Sequence, residues 1–221
     1  MASIQDGVKL LEEGNYEEAI NTFLALDIDP KEHPELSYYL GLCYTNLERY
    51  DEAVLYLEQV VSGEVEFLHI FQGRMLLGYI YTVTDRPQLA ELEFSKLLED
   101  GFESAKVRAA MAHVEYMMGK TNAGIAELER ALEVDPENAN ALNSLGYIMA
   151  DNGMRLQAAL SYCKKAVAAK PDNPAYLDSL GWTYFKLGNV AEARRYIGAA
   201  HEKAPDNEEI AEHWQAVRRV S

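Results

Sequence analysis

A chain of 221 residues with 48% hydrophobic and 25% charged side chains has the make-up of a soluble folded protein and argues against a disordered one. Its formal net charge of −16 repels a phosphate backbone and anionic lipid headgroups, so nucleic acid and membrane surfaces are set aside as partners, and basic or neutral ones fit. Two cysteines, Cys43 and Cys163, are too few for a disulfide framework, and each sits in a helical, apolar stretch expected to bury a free thiol.

Along the chain, helical hairpins are predicted over about 1–32, 34–66, 71–102, 105–137, 139–172 and 174–206, with a cap helix over 207–220. The turns fall at Gly14, Glu48, Asp85, Gly119, Gly153 and Gly188, spaced by 34, 37, 34, 34 and 35 residues. Seven residues before each turn lies a small residue: Gly7, Gly41, Gly78, Ala112, Gly146 and Gly181. Five after it lies another, Ala19, Ala53, Ala90, Gly124 or Ala193. In the fifth hairpin Ala159 comes six after, so one residue is inserted near Met154-Arg155. Pro30, Pro136, Pro171 and Pro205 close four of the hairpins. Past Pro205, Asp206 and Asn207 offer a cap, Glu208 and Glu209 suit the start of a helix, and Ile210, Trp214 and Val217 share a face that covers the sixth hairpin.

Each feature has a physical cause. Two antiparallel helices joined by a short turn come closest where both carry a small residue. A turn residue with no Cβ escapes the left-handed penalty. Proline stops one helix and opens the next hairpin. Between these points apolar residues recur at helical spacing, as in Leu40, Tyr44 and Leu47, or Leu177, Leu180 and Tyr184.

Leu40-Gly41-Leu42-Cys43-Tyr44, Leu77-Gly78-Tyr79-Ile80-Tyr81 and Leu180-Gly181-Trp182-Thr183-Tyr184, with Ala19/Phe23 and Ala90/Phe94, resemble the tetratricopeptide repeat (TPR). The resemblance covers about residues 2–205 and implies an all-α, right-handed superhelical solenoid of six hairpins plus a capping helix, thirteen helices in all. The fourth copy departs most, with Met111-Ala112 for Leu-Gly and Glu115 for the tyrosine. Leu142-Asn143-Ser144-Leu145-Gly146-Tyr147 and Leu177-Asp178-Ser179-Leu180-Gly181-Trp182 are similar to a group of bacterial TPR proteins, many of them envelope lipoproteins. The start, Met1-Ala2-Ser3-Ile4-Gln5-Asp6, has no signal-like segment. The sequence as it stands is therefore expected in the cytoplasm, and in the periplasm or on a lipid anchor if a leader precedes it.

In stacks of this family the first helices line a concave groove. Positions one and four before the anchor glycine, and three after it, face the partner helices. The opposite stripe then holds Tyr38, Met75, Ala109, Asn143 and Asp178; Leu42, Tyr79, His113, Tyr147 and Trp182; and Thr45, Thr82, Tyr116, Ala150 and Phe185. Tyrosine and tryptophan there suit an interaction site. The predicted partner-binding set is Tyr38, Leu42, Thr45, Met75, Tyr79, His113, Tyr116, Asn143, Tyr147, Asp178, Trp182 and Phe185. Lys106 and Lys186 are isolated, which disfavours a clamp for a partner's C-terminal carboxylate.

His33, His69, His113, His201 and His213 fall in no metal or catalytic spacing, and no P-loop, G-x-S-x-G or G-x-G-x-x-G occurs. No enzyme activity, cofactor or metal is expected. The expected function is a scaffold or adaptor that holds a peptide or partner protein in the groove. The alternatives are a ligand- or peptide-sensing module and a scaffold that self-associates through the apolar first helix, with Ile4, Val8, Leu10 and Leu11.

Overall fold

The computed structural model describes residues 3–29, 33–63 and 67–220. Pro30 lies outside them. The described residues form thirteen α-helices and no strand, in two compact units that divide after Phe102.

The first unit holds three hairpins: α1 (Ile4–Glu12) with α2 (Tyr16–Leu24), α3 (Pro34–Asn46) with α4 (Tyr50–Ser62), and α5 (Phe67–Val83) with α6 (Pro87–Glu99). The second holds α7 (Ala105–Met117) with α8 (Thr121–Val134), α9 (Ala139–Asp151) with α10 (Leu156–Ala169), α11 (Pro174–Lys186) with α12 (Val190–Lys203), and a final helix α13 (Glu208–Arg219). Within each unit every hairpin packs on the next, and α13 packs on α12 and α11.

The turn residues all take positive φ, including the non-glycines Glu48 (58°) and Asp85 (56°). The amide that follows each one reaches back to the last turn of the first helix, as Arg86 N does to Tyr81 O at 2.7 Å and Lys120 N to Glu115 O at 2.8 Å. This closes the helix with a left-handed residue and satisfies its orphan carbonyls. Arg155 is also left-handed, at φ 42° and ψ 48°, and it absorbs the residue inserted in the fifth hairpin. Starts are capped as their sequences imply. Ser3 and Asp6 form a capping box at α1, and the side chains of Ser104, Asn138, Asn173 and Asn207 cap α7, α9, α11 and α13.

The paired small residues meet as expected, with a Cβ at Gly146 3.0 Å from Ala159 O and one at Gly181 3.2 Å from Ala193 O, and the first-helix glycines also serve a second purpose. A Cβ at Gly78 would lie 2.4 Å from the Phe94 ring, and one at Gly146 2.5 Å from Cys163 Sγ. The glycine of the first helix seats a large side chain of the second. The same pairing joins Gly7 to Phe23, Gly41 to Leu57 and Gly181 to Ile197. In the fourth hairpin the roles reverse: Gly124 is on the second helix, and its missing Cβ leaves room for the carbonyl of Ala112 at 2.8 Å. These seats run through the core. Phe23, Leu40, Leu57, Leu77, Leu97, Leu128, Leu145, Leu180 and Ile197 are fully buried, each contributing roughly 1.5–3 kcal/mol by leaving water.

Two polar pairs cross the core at equivalent places. Arg74 Nη1 meets Glu93 Oε2 at 2.8 Å, and Arg108 Nη1 meets Glu127 Oε2 at 2.7 Å. Each arginine stands four residues before the anchor, where the pattern asks for a side chain facing the second helix. Arg108 also bonds Glu103 at 2.9 Å, and Glu127 accepts from Arg130.

Candidate functional site

In the first unit the predicted residues sit on α3 and α5. Tyr38 packs its ring against His69, with centroids 5.3 Å apart, and against Tyr39 at 5.5 Å. Thr45 donates its hydroxyl to Gly41 O at 2.7 Å, and Leu42 and Met75 are half-buried. Tyr79 is 49% exposed and shares a hydrogen bond with Tyr50. The large exposed apolar side chains of α5 also include Phe67, Leu68 and Val83, whereas Ile4, Val8, Leu10 and Leu11 of α1 are half-buried.

In the second unit α7, α9, α11 and α13 follow one another as first helices, and together they line a pocket of about 410 Å³. His113 and Tyr116 come from α7, Asn143 and Tyr147 from α9, and Asp178 from α11. Five residues of the predicted stripe are therefore brought to one place, because helical spacing sets them on one face of each helix and stacking sets the helices side by side.

At the far end of the stripe Trp182 and Phe185 are partly covered by neighbouring side chains. Trp182 stacks on His213 of α13 with ring centroids 3.9 Å apart, and on Phe185 at 5.2 Å. Both pack against a core of Ala193, Ile197 and Val217. Ala150 is fully buried. The cause is α13, which lays His213 over the end of the stripe. Nor is Lys186 isolated: its Nζ bonds Asp151 O at 2.9 Å and sits 4.9 Å from the centroid of the Trp182 ring.

Asp178 is almost completely buried, 3% exposed. His213 Nδ1 lies 2.7 Å from its Oδ2. Its Oδ1, like Oδ1 of Asn143, has no hydrogen-bond partner among the described residues. Burial raises the pKa of Asp178 above the ordinary carboxylate range, the His213 contact opposes this, and the nearby Glu209 charge adds to it. Tyr147 donates its hydroxyl to Glu209 of α13. Burial and that carboxylate push the phenol pKa far up, so Tyr147 stays protonated. His113 keeps one side open to solvent, yet the protein crowding it lowers its pKa, with Glu209 opposing.

Sequence reasoning missed Glu209, Met117, Ser144 and Ser179 as lining residues. The two serines stand two before their anchors, a position assigned to neither face. Glu209 was read as a favourable charge at a helix start, and nothing local told that this start borders a pocket. Also missed was Asp151, the last residue of α9. It accepts from Tyr116 Oη (3.0 Å) and Trp182 Nε1 (3.0 Å), joining α7, α9 and α11.

Two models of the tetratricopeptide repeat match this chain, one over residues 109–174 and the other over 10–64 and 154–213. The TPR repeat-containing protein PA4667 of Pseudomonas aeruginosa is 33% identical over 172 residues, covering 75% of this chain. The chain spans only 28% of that relative's length. Among solved structures, YrrB, described as a TPR protein with an unusual peptide-binding site, is similar over 97% of this chain and 100% of its own, with a TM-score of 0.62 and 17% identity. PilF of Pseudomonas aeruginosa has a TM-score of 0.68 at 17% identity, over 86% of this chain and 85% of its own. MamA has a TM-score of 0.62 at 21% identity, over 80% and 94%.

Proposed function

The chain belongs to the tetratricopeptide repeat family, and from that premise we propose that it is a protein-interaction scaffold that holds a peptide or a partner's segment in the α7–α13 pocket. Stacked repeats of this kind build extended binding surfaces out of their first helices. The observation that carries the proposal is the convergence of His113, Tyr116, Asn143, Tyr147 and Asp178 from three helices on one pocket. Its mixture of aromatic walls and a few fixed polar groups is what a recognition site requires. One side-chain oxygen each of Asn143 and Asp178 lacks a partner among the described residues, and the amides of an extended peptide are donors of the kind such acceptors require.

The test is photocrosslinking in the native cell. A benzoylphenylalanine replaces Met117, an exposed residue at the pocket wall, and, as a control, Glu133 on the outside of α8. Proteins captured from position 117 and not from 133, and lost on Asn143→Leu, support the proposal. The same set from both positions, or none from 117, overturns it.

A further inference from the structure

We infer that the α7–α13 pocket receives a cationic side chain, an arginine or a lysine of the bound partner, an assignment that rests on the groove binding proposed above. Asp178 and Glu209 both line the pocket, and among the described residues no lysine or arginine does. The two carboxylates stand on different helices, α11 and α13, with Asn143 on α9 between them and α7. They therefore reach the space from two elements and do not form a run along one helix.

The second observation is independent of charge. Asp178 is almost completely buried, its Oδ2 is engaged by His213, and its Oδ1 lacks a partner among the described residues. Oδ1 of Asn143 is in the same condition. A buried acceptor left unmatched is costly, and a carboxylate more so. A group that brings several donors and a positive charge answers both deficits at once, and guanidinium and ammonium are the side-chain groups that do. Tyr116 and Tyr147 also line the pocket, and aromatic rings attract a cation. The hydroxyl of Tyr147 is held by Glu209, so that ring is fixed beside the carboxylate. The chain's net charge of −16 draws a basic segment toward it.

The experiment titrates the full chain with Nα-acetylarginine methylamide, the lysine counterpart, and the citrulline counterpart, which keeps the shape of arginine without its charge. Binding is read from NMR shifts of the Tyr147 and His213 rings. A saturable response to the arginine or lysine probe is expected, about tenfold weaker for citrulline, the scale of one lost charge-assisted contact. It should weaken with added salt and on Asp178→Asn. Because that change disturbs the His213 contact, Glu209→Gln on the exposed start of α13 provides a second variant, expected to weaken the cationic probes and leave citrulline unchanged. Which of the two cationic probes binds tighter identifies the side chain. Citrulline binding as well as arginine, or no saturable response to either cation, overturns the assignment. So does a partner captured from position 117 through a segment that contains neither arginine nor lysine, a result that leaves groove binding itself standing. Binding of a cationic probe with no partner ever captured from 117 has the reverse meaning.

Discussion

The indole N–H of Trp182 donates to Asp151 Oδ1 at 3.0 Å, across the interface between α11 and α9. The other carboxylate oxygen takes the Tyr116 hydroxyl from α7, and Lys186 reaches the same carboxylate at 3.3 Å. Asp151 stands at the C-terminal end of α9, where a negative charge is disfavoured by the helix dipole. Three donors from two neighbouring helices offset that. One side chain thus fixes the register of three successive first helices.

Asp151→Ala should destabilise the second unit by about 1–3 kcal/mol, since it leaves the Trp182 and Tyr116 donors without their acceptor. Denaturant unfolding of the variant, of Trp182→Phe and of the double variant measures the coupling. Strict additivity would show that the bond contributes nothing. Burial acts to raise the Asp151 pKa, but the Trp182 and Tyr116 hydrogen bonds and the Lys186 charge outweigh it and hold the pKa below the ordinary aspartate value. A carboxylate with a depressed pKa in the folded state contributes stability above the unfolded value and loses it as pH falls through the folded one. The acid side of the stability profile, below the ordinary aspartate range, should therefore be shallower in Asp151→Asn.

Gly78→Ala places a methyl group 2.4 Å from the Phe94 ring. Overpacking of this kind costs about 1–3 kcal/mol, more than the helix propensity gained. Thermal unfolding should register the loss, and Gly78→Ala combined with Phe94→Leu should recover part of it.

The Arg108–Glu127 pair is buried on both sides, with each residue 8% exposed. Removing one partner, as in Glu127→Ala, should cost up to about 3–5 kcal/mol, because the buried arginine keeps only the exposed Glu103 as a partner. Replacing both, as Arg108→Met with Glu127→Leu, should cost far less. Equal losses for the single and double variants would show that Glu127 acts through Arg130 instead.

Both thiols should be silent in the native protein. Burial pushes Cys43 up to about 12 and Cys163 up to about 11, so neither forms thiolate at neutral pH. A disulfide reagent at about pH 8 should modify neither residue until denaturant is added, when both react. Fast labelling of native Cys163 would show that the Gly146 seat opens readily.

The turns were legible because their signal is backbone geometry written at a fixed period. Spacing identified even Glu48, a residue type with no preference for positive φ, beside Asp85, a type that tolerates it. The insertion at Met154-Arg155 was legible for the same reason. What the small residues accommodate was not, since Gly78 carries no mark of the Phe94 ring that comes from another helix. At the pocket, one-helix periodicity placed His113, Tyr116, Asn143, Tyr147 and Asp178 correctly on a face. It could not tell that Trp182 would lie beneath His213, or that Asp151 would gather donors. Those contacts join residues 31 to 35 positions apart, and they depend on how far α11 and α13 slide past their neighbours.

Helix α13 also forms one wall of the pocket, through Asn207, Glu209 and Ile210. Occupancy of the pocket and attachment of α13 are thereby linked in free energy, so that whatever binds there must also slow the opening of α13. Amide hydrogen exchange along α13, measured with and without the ligand, then becomes a reporter of binding that needs no label in the pocket itself.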